Sequence, residues 1–238
     1  MVSTNVETDI ILALIMFMAA WLIGGFVDIE RDTIKKLAEL ADHDDLTGLG
    51  NKRYFYRNLQ ELFTKAQKES ACLSLALADI DHFKAYNDVL GHLQGDEVLI
   101  QLSGIIKNTI PPGSVAARYG GEEFGIILYG YSSQQALAVA EKIRKAVENY
   151  PFSGREYQPK QRITISLGVA SYPEHATSVK ELVCRADDAL FRAKSVRRNK
   201  SEVYFSVFDE IATSFNNVSH DLLNSLKTLL GVIQAKDR

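Results

Sequence analysis

The chain begins with its longest uninterrupted apolar segment. Residues Ile10–Val27 carry no charged side chain, and about 17–25 apolar residues let a helix cross a bilayer. Residues 1–9 contain no Lys or Arg, and the segment is longer than the ~7–15 apolar residues of a signal peptide. We therefore predict a retained transmembrane helix rather than a signal peptide. Arg31, Lys35 and Lys36 follow it, which predicts a single pass through the cell (inner) membrane, with the rest of the chain in the cytoplasm.

Residues 28–43 form a charged segment with a helical pattern. Val27, Ile34 and Ala41 share one heptad position, and Leu37 falls three residues after Ile34. Two heptads are too few to separate a parallel coiled-coil stalk from a plain solvated helix. The segment is therefore either a dimerisation stalk or a simple linker.

Residues 44–208 alternate between helical and strand periodicity, which predicts one folded domain. The predicted elements, in chain order, are a helix at Lys52–Lys68, a strand at Leu73–Ala78, helices at Phe83–Asp88 and Gly95–Ile110, strands at Val115–Ala117 and Phe124–Tyr129, a helix at Ser132–Tyr150, a strand at Ile163–Ala170, a helix at Ser178–Lys194 and a strand at Val203–Phe205. From Leu73 onward the order β-α-α-β-β-α-β-α-β indicates an α/β (α+β) fold, a mixed sheet with flanking helices.

Composition weighs against several classes of function. The formal net charge is −3, so we predict no nucleic-acid partner. Cys72 and Cys184 are the only cysteines, and their apolar surroundings fit core positions better than a disulfide or a metal pair. The chain has no H-E-x-x-H spacing and no P-loop pattern, so neither a zinc hydrolase nor a P-loop NTPase is supported.

The stretch RYGGEEF, Arg118–Phe124, combines a tight turn with two acids. Gly120 and Gly121 predict a two-residue hairpin turn with positive φ angles, and Glu122 and Glu123 follow at once. Paired acids beside a turn without Cβ atoms suit a divalent cation with a phosphate close to the backbone. This motif alone does not separate such a site from a solvated hairpin.

Asp79 and Asp81 directly follow the strand predicted at Leu73–Ala78. A carboxylate at the end of a central strand is well placed to hold a metal. An acid here can also cap the helix that follows, an alternative that is stronger for Asp81 than for Asp79.

Six motifs occur in a fixed order: DDLTGLGNKR, LALADIDHFKAYND, GHLQGDEVL, RYGGEEF, ISLGVASYPEHA and ADDALFRAK. Together they resemble the GGDEF family, the diguanylate cyclases, from Asp44 to Phe205. The resemblance implies a palm-like sheet similar to the ferredoxin-like cores of nucleotide cyclases. It also implies a homodimer in which two GTP molecules, one on each chain, are joined into cyclic di-GMP with loss of two pyrophosphates.

The resemblance implies a metal site at the two acidic motifs. Asp79 and Glu122, with the carbonyl of Ile80, match the positions that bind two Mg²⁺ (or Mn²⁺) ions, which prefer oxygen ligands. Glu122 is also the usual candidate for accepting the 3′-hydroxyl proton. Because a metal-bound carboxylate is a poor base, activation of the hydroxyl by the metal, with Glu123 assisting, remains open.

The resemblance also implies how guanine is recognised. Asn87 and Asp96 match the guanine-reading positions, where an amide and a carboxylate together fit donors and acceptors that adenine lacks. His92 falls at a substrate-side position. Without the resemblance, Asn87 would be read as a helix cap and Asp96 as a first-turn acid.

Three cations match positions near the triphosphate, namely Lys84, Lys194 and Arg198. Positive charge there offsets the charge that develops on the leaving pyrophosphate. Gly120 and Gly121 would let a phosphate approach the backbone.

The chain departs from the family pattern at two places. Arg197 stands where the family has glycine in A-K-x-x-G-R-N. If that glycine needs a positive φ angle, the loop must adjust and the reach of Arg198 changes. Positions 111–114 read PPGS and lack the arginine and the acid of the R-x-x-D product-binding motif. We therefore predict no product inhibition through that motif, and cyclic di-GMP binding there at micromolar affinity or tighter would contradict this.

Residues 209–238 include an amphipathic helical pattern at Val218–Ala235. The passage LLNSLKTLLGVIQAKDR resembles the opening of an HD-GYP phosphodiesterase domain. It indicates either the start of a truncated second domain or a C-terminal helix used in dimer contacts.

Taken together, the motifs favour a membrane-anchored diguanylate cyclase in which a 3′-hydroxyl attacks the α-phosphate with metal assistance. The alternative is a non-catalytic GTP-binding GGDEF module that regulates an attached HD-GYP phosphodiesterase. A structural dimerisation protein would explain the two ends of the chain but not its ordered acids and bases.

Overall fold

The computed structural model describes the backbone of residues 6–40 and 42–206, and the side chains of residues 10–27, 30 and 42–206. The N-terminal part is one continuous helix, α1, at Val6–Leu40. It joins the apolar segment and the charged segment without a break. Within it, Ile10–Val27 has a mean hydropathy of 2.6 and is long and apolar enough to cross a membrane. The side chains of this segment are exposed.

The rest of the described chain alternates helices and strands in the predicted order. The elements are α2 (Lys52–Glu69), β1 (Leu73–Ile80), α3 (Phe83–Leu90), α4 (His92–Thr109), β2 (Val115–Arg118), β3 (Glu123–Tyr129), α5 (Ser133–Asn149), β4 (Ile165–Tyr172), α6 (Val179–Val196) and β5 (Ser201–Val203). The predicted fold class is confirmed. The differences are at element ends: α4 starts at His92 rather than Gly95, and β5 starts at Ser201 rather than Val203.

The five strands form one mixed sheet in the order β2-β3-β1-β4-β5. The central strand β1 is antiparallel to both of its neighbours, β3 and β4, and β5 runs parallel to β4. Every residue of β1 is buried, since helices cover both faces of the sheet.

The alternation of side chains along β1 divides the core into two clusters. Ala76, Ala78 and Ile80 pack with residues of α4 and α5 on one face. Leu73, Leu75 and Leu77 pack with residues of α2 and α6 on the other face. An odd-numbered residue that extends β1 therefore points towards the face covered by α2 and α6.

Helix α6 packs unusually closely on β4 because of Gly168. A Cβ atom at this position would lie 2.1 Å from the backbone nitrogen of Leu190 and 2.2 Å from the carbonyl oxygen of Ala186. No larger residue fits without moving the helix. The last turn of α6, which carries Lys194, is thereby held next to the sheet.

Three helices begin at side-chain caps that are readable in the sequence. Asn51 accepts a hydrogen bond from the Tyr54 N–H at the start of α2, and Ser178 accepts one from the Glu181 N–H at the start of α6. Ser132 forms a full capping box at the start of α5. Cys72 and Cys184 do not form a disulfide and are only half-buried, so neither is among the buried core residues that the sequence analysis predicted.

Candidate active site

Asp79 is the odd-numbered residue next to the end of β1, on the face that α6 covers. Its carboxylate is 5% exposed, and the Lys194 ammonium lies 2.8 Å from Oδ1. This ion pair is the contact that the described part of the chain gives to Oδ1, which accepts no further hydrogen bond there. Burial raises the pKa of Asp79, partly offset by Lys194. A buried carboxylate oxygen left in this state has capacity for an additional ligand.

The hairpin of β2 and β3 brings the two glutamates beside Asp79. Glu123 pairs directly with Asp79 in the sheet, and the Ile80 N–H donates to the carbonyl of Glu122 at 3.4 Å. Burial, and next the negative charge of Asp79, raise the pKa of Glu122. The structure therefore gathers the predicted metal residues Asp79, Ile80 and Glu122 at one point of the sheet.

The turn itself differs from the prediction. Residues 119–122 separate the two strands, so the turn is longer than two residues. Neither Gly120 nor Gly121 has a positive φ angle, and the prediction of a left-handed turn is wrong. The turn closes instead through the N–H groups of Tyr119 and Gly120, which both donate to the carbonyl of Glu123 at 2.7 and 3.2 Å.

The two glycines serve different purposes. A Cβ atom on Gly120 would lie 2.3 Å from Oε2 of Glu123, so this glycine makes room for a site carboxylate. A Cβ atom on Gly121 would meet nothing within 4 Å. The fold does not require a glycine at 121, and the open space beside it is available to a ligand.

Arg118 and Asp44 hold the turn in place, a role that the sequence analysis missed. The Arg118 guanidinium donates to the carbonyl of Gly121 at 2.7 and 3.1 Å and pairs with the Asp44 carboxylate at 3.2 Å. Asp44 also accepts hydrogen bonds from the N–H and hydroxyl of Thr47. Both residues lie in motifs quoted above, but their pairing across 74 positions has no local signal.

The three cations predicted to bind the triphosphate differ in how exposed their side chains are. Lys194 is half-buried against Asp79, and Arg198 is exposed but near enough for its charge to lower the pKa of Asp79 slightly. Lys84 is exposed at the start of α3. Arg197 has φ −150°, so the side chain in place of the family glycine causes no left-handed strain. The positive φ angles fall on Arg198 and Asn199.

The predicted guanine-binding residues lie on α3 and α4. The Oδ1 atom of Asn87 is buried and has no hydrogen-bond partner in the described chain. A Cβ atom on Gly95 would lie only 1.9 Å from it, so Gly95 is required for this orientation of the amide. Asp96 is half-buried in the next position, and His92 is exposed at the first residue of α4. The amide and the carboxylate therefore lie on consecutive helices, α3 and α4, that contact each other.

Asp81 does not cap the helix that follows it. The capping position of α3 is His82, which makes no side-chain cap. The Asp81 carboxylate instead accepts hydrogen bonds from Thr164 and Ser166 at the start of β4.

The donor set suits a hard divalent cation that shares its ligands with a substrate. No group of three or more His, Cys, Asp or Glu side chains among the described residues forms a complete metal site. Asp79, Glu122 and the Ile80 carbonyl offer oxygen atoms only. Mg²⁺ in nucleotide sites is typically held by one or two carboxylates plus phosphate oxygens. The two carboxylates of Asp79 and Glu122 would therefore leave room for phosphate oxygens to complete the coordination of the ion.

Comparison with known proteins identifies the family. Residues 41–200 match the family described as diguanylate cyclase, GGDEF domain. The chain is 40% identical over 161 residues to the "Probable diguanylate cyclase DgcT" of Escherichia coli, covering 68% of this chain and 35% of that protein. It is 39% identical over 193 residues to diguanylate cyclase A of Treponema denticola, covering 74% of this chain and 51% of that protein. A Staphylococcus aureus relative, 37% identical over 181 residues, covering 74% of this chain and 50% of that protein, is named an uncharacterized membrane protein.

Solved structures share the fold. The coiled coil and GGDEF domain of DgcB from Caulobacter crescentus, in complex with c-di-GMP, superposes with a TM-score of 0.66 at 30% identity, covering 78% of this chain and 98% of that one. The active GGEEF domain of a diguanylate cyclase from Vibrio cholerae superposes with a TM-score of 0.61 at 32% identity, covering 66% and 97%.

The chain spans between about a third and a half of the length of the curated relatives quoted above. The family match nevertheless covers most of the chain and includes every predicted site residue. The chain belongs to the diguanylate cyclase GGDEF domain family.

Proposed function

We propose that the chain is a membrane-anchored diguanylate cyclase that makes cyclic di-GMP from two GTP. The observation that carries the proposal is a pair of buried oxygens. Asp79 Oδ1 has only the ion pair with Lys194 in the described chain, and Asn87 Oδ1 accepts no hydrogen bond there. Buried polar atoms are normally paired. One of these oxygens lies where a metal and triphosphate are expected, and the other lies where guanine is expected.

Different residues of the chain bind different parts of GTP. Asn87 and Asp96 bind the guanine edge, and His92 lies at the same end. Lys84, Lys194 and Arg198 bind the triphosphate and stabilise the charge that develops on the departing pyrophosphate. Gly120 and Gly121 leave the backbone accessible to the phosphates.

Glu122 is the candidate for accepting the proton of the attacking 3′-hydroxyl, with Glu123 beside it. Burial and the charge of Asp79 raise the pKa of Glu122. Because a metal-bound carboxylate is a poor base, activation of the hydroxyl by the metal, with Glu123 assisting, is the alternative. Asp79, Glu122 and the Ile80 carbonyl are the proposed ligands of Mg²⁺ or Mn²⁺, two ions per active site. When bound, the metal neutralises phosphate charge and lowers the pKa of the attacking hydroxyl.

The reaction requires two chains. Each chain offers one guanine-binding pair and one acidic cluster, and the product contains two GMP units. We propose a homodimer in which each chain holds one GTP and each 3′-hydroxyl attacks the α-phosphate on the partner. Such an enzyme is inactive as a monomer, so its specific activity rises with protein concentration.

The membrane proposal is supported by α1 and by the naming of the Staphylococcus aureus relatives. We propose a single span at Ile10–Val27 with the GGDEF domain in the cytoplasm. Retention of the chain in washed membranes, with the original N-terminus intact, supports the span. Recovery of a shortened chain in the soluble fraction would favour the signal-peptide interpretation.

Incubation of the purified full chain with GTP and Mg²⁺ tests the proposed activity. We expect a cyclic dinucleotide and pyrophosphate, separated by chromatography, at a rate per chain that increases with concentration. The alternative, a non-catalytic module that regulates a phosphodiesterase, predicts GTP binding without product at every concentration. The prediction of an HD-GYP segment in residues 209–238 lies outside the described residues.

A further inference from the structure

Both oxygens of the Asp81 carboxylate accept hydrogen bonds from other groups of the protein. Asp81 is 2% exposed, and its Oδ1 accepts a hydrogen bond from the Ser166 hydroxyl at 2.7 Å. Its Oδ2 accepts one from the Thr164 hydroxyl at 2.7 Å and one from the backbone N–H of Asn199 at 2.9 Å. These bonds join the end of β1 to β4 and to the loop after α6, which indicates a structural purpose for the charge.

The loop that Asp81 holds has a strained backbone. Arg198 and Asn199 have φ angles of 54° and 49°, in the left-handed region that arginine rarely adopts. Two successive residues in this region persist only when their surroundings hold them there. The hydrogen bond from the Asn199 N–H to Asp81 is one such restraint, and the bond from the Arg198 N–H to the Ala193 carbonyl at 3.0 Å is another.

Helix α5 supplies a third restraint through the side chain of Asn199. The Arg144 guanidinium donates to Asn199 Oδ1 at 2.7 Å, and the Asn199 amide donates to Glu148 at 3.0 Å. Arg144 is itself fixed by Glu148 at 2.8 Å and by Glu141 at 3.0 Å. The loop is therefore tied to the sheet on one side and to α5 on the other.

We propose that Asp81, Asn199, Arg144 and Glu148, here called the Asn199 clamp, position Lys194 and Arg198 for the triphosphate of the nucleotide. Arg198 directly precedes the clamped residue, and Lys194 lies one helical turn earlier, against Asp79. The clamp sets the distance between these cations and the acidic cluster, so it selects a triphosphate over a monophosphate. Asp81 acts as a positioning residue and not as a metal ligand. The inference rests on the proposed function in taking GTP as the ligand.

Two substitutions at position 81 separate positioning from ligation. Asp81→Ala removes all three acceptor bonds. Asp81→Asn keeps an oxygen towards Thr164 and Asn199 while its amide donates to the Ser166 hydroxyl, which also accepts hydrogen bonds. A metal ligand needs the charge, whereas a positioning residue needs only the acceptor.

The experiment measures binding of two ligands to the full chain with Mg²⁺ present. The ligands are GMP and a GTP analogue with a methylene bridge between the α- and β-phosphorus atoms. For Asp81→Ala we expect the affinity for the GTP analogue to fall about tenfold, the effect of losing one to two hydrogen bonds. We expect the affinity for GMP to change less than about twofold, and Asp81→Asn to stay within about threefold of wild type for both ligands.

The outcomes are distinguishable. Equal weakening of both ligands by Asp81→Ala, or an Asp81→Asn variant as defective as Asp81→Ala, would overturn the clamp. If Asp81→Ala does not fold, Asn199→Ala replaces it, with an expected loss of about threefold for the GTP analogue alone. A wild-type chain that binds neither ligand would overturn the proposed function as well, since the clamp presupposes GTP.

Asp42→Asn is the matched control. Asp42 is a buried aspartate held by two arginines, Arg57 at 2.5 Å and Arg53 at 3.5 Å, and it makes no contact with the loop after α6. We expect this variant to lose stability while its ratio of affinities for the GTP analogue and GMP stays the same as in wild type. A change in that ratio would overturn the clamp, because a loss of stability alone would then account for the effect of Asp81→Ala.

Discussion

Asp79 and Asp81 lie two residues apart at one end of β1, and both are almost fully buried. Their surroundings are nevertheless opposite. Asp81 accepts three hydrogen bonds from the protein. Asp79 has one lysine beside it and an oxygen without a hydrogen-bond partner in the described chain, and burial raises its pKa.

Two buried acids, one in the site and one structural, can therefore be distinguished by their hydrogen-bond partners. A fold gains stability from a buried carboxylate only when hydrogen bonds replace its lost hydration. Asp81 meets this condition and Asp79 does not. Residues left unsatisfied by the fold should therefore affect the chemistry directly when they are replaced, whereas satisfied residues should affect stability or the positioning of other groups.

The largest expected effect is at Asp79. In Asp79→Asn we expect cyclic di-GMP formation to fall by about 10³-fold, the ratio that ~4 kcal/mol of lost charge stabilisation produces. The melting temperature in the absence of metal should not decrease, because the replaced carboxylate is poorly solvated. Product chromatography and thermal unfolding provide the two measurements. Equal losses of activity in Asp79→Asn and Asp81→Asn would contradict the distinction between Asp79 as a site residue and Asp81 as a structural residue.

The second largest loss of activity is expected in Gly121→Ala, whose added methyl group enters the open space beside residue 121. Since a Cβ atom there meets nothing within 4 Å and φ is not positive, Gly121→Ala should fold with an unchanged melting temperature. If phosphate occupies the space, activity should fall by about 10²-fold, the cost of misplacing a reacting group by about 1 Å. Steady-state kinetics measures this loss.

Gly120→Ala is the companion variant, because its Cβ atom would meet Glu123 at 2.3 Å. We expect it to move the Glu123 carboxylate even without a ligand. A Gly121→Ala variant with wild-type activity would show that no phosphate approaches this part of the turn.

A smaller effect, on KM for GTP, is expected when Asn87 is replaced by alanine. Asn87→Ala removes a buried amide oxygen that makes no hydrogen bond in the described chain, so stability should not fall. Losing a hydrogen bond to guanine should raise KM for GTP about tenfold. Kinetics with GTP and ITP adds a control, because ITP lacks the exocyclic amine. An equal loss of thermal stability and of GTP affinity would place Asn87 with the structural residues.

The smallest effect, on stability alone, is expected at Asp42. Hydrogen bonds from Arg57 hold the pKa of Asp42 below its ordinary value of 3.8. Because this pKa is lower in the folded chain, the contribution is complete above the unfolded pKa and is lost as the pH falls through the folded pKa. At about pH 7, Asp42→Asn should lower the melting temperature by about 2–4 °C, the shift that ~1 kcal/mol produces.

The pH dependence checks the sign. The difference in melting temperature between wild type and Asp42→Asn should be constant well above the ordinary pKa of 3.8 and should shrink as the pH falls below it. A difference that grows on acidification would contradict the assignment. Activity at about pH 7 should be unchanged, because Asp42 contacts none of the proposed site residues.

Much of this architecture was readable from local patterns. Caps such as Asn51 and Ser132 mark helix starts, because their side chains satisfy N–H groups only a few residues away. The alternation of β1 places Asp79 on one face of the sheet, since strand side chains have a period of two. The family motifs named the candidate site residues. What remained unreadable was the geometry of the Gly120–Gly121 turn, whose backbone is set by Arg118, Asp44 and Glu123 rather than by glycine freedom.

The order of the elements, the family and the identity of the acids depend on residues close together in the chain, so they could be predicted from the sequence. Which of the two buried acids is satisfied depends on the packing of the folded domain. The partners of Asp81 lie 83 to 118 positions away, and the lysine beside Asp79 arrives on α6, which Gly168 lets approach the sheet. Hydrogen-bond partners at such separations are chosen by the packing of the whole domain, so no local pattern distinguishes Asp79 from Asp81.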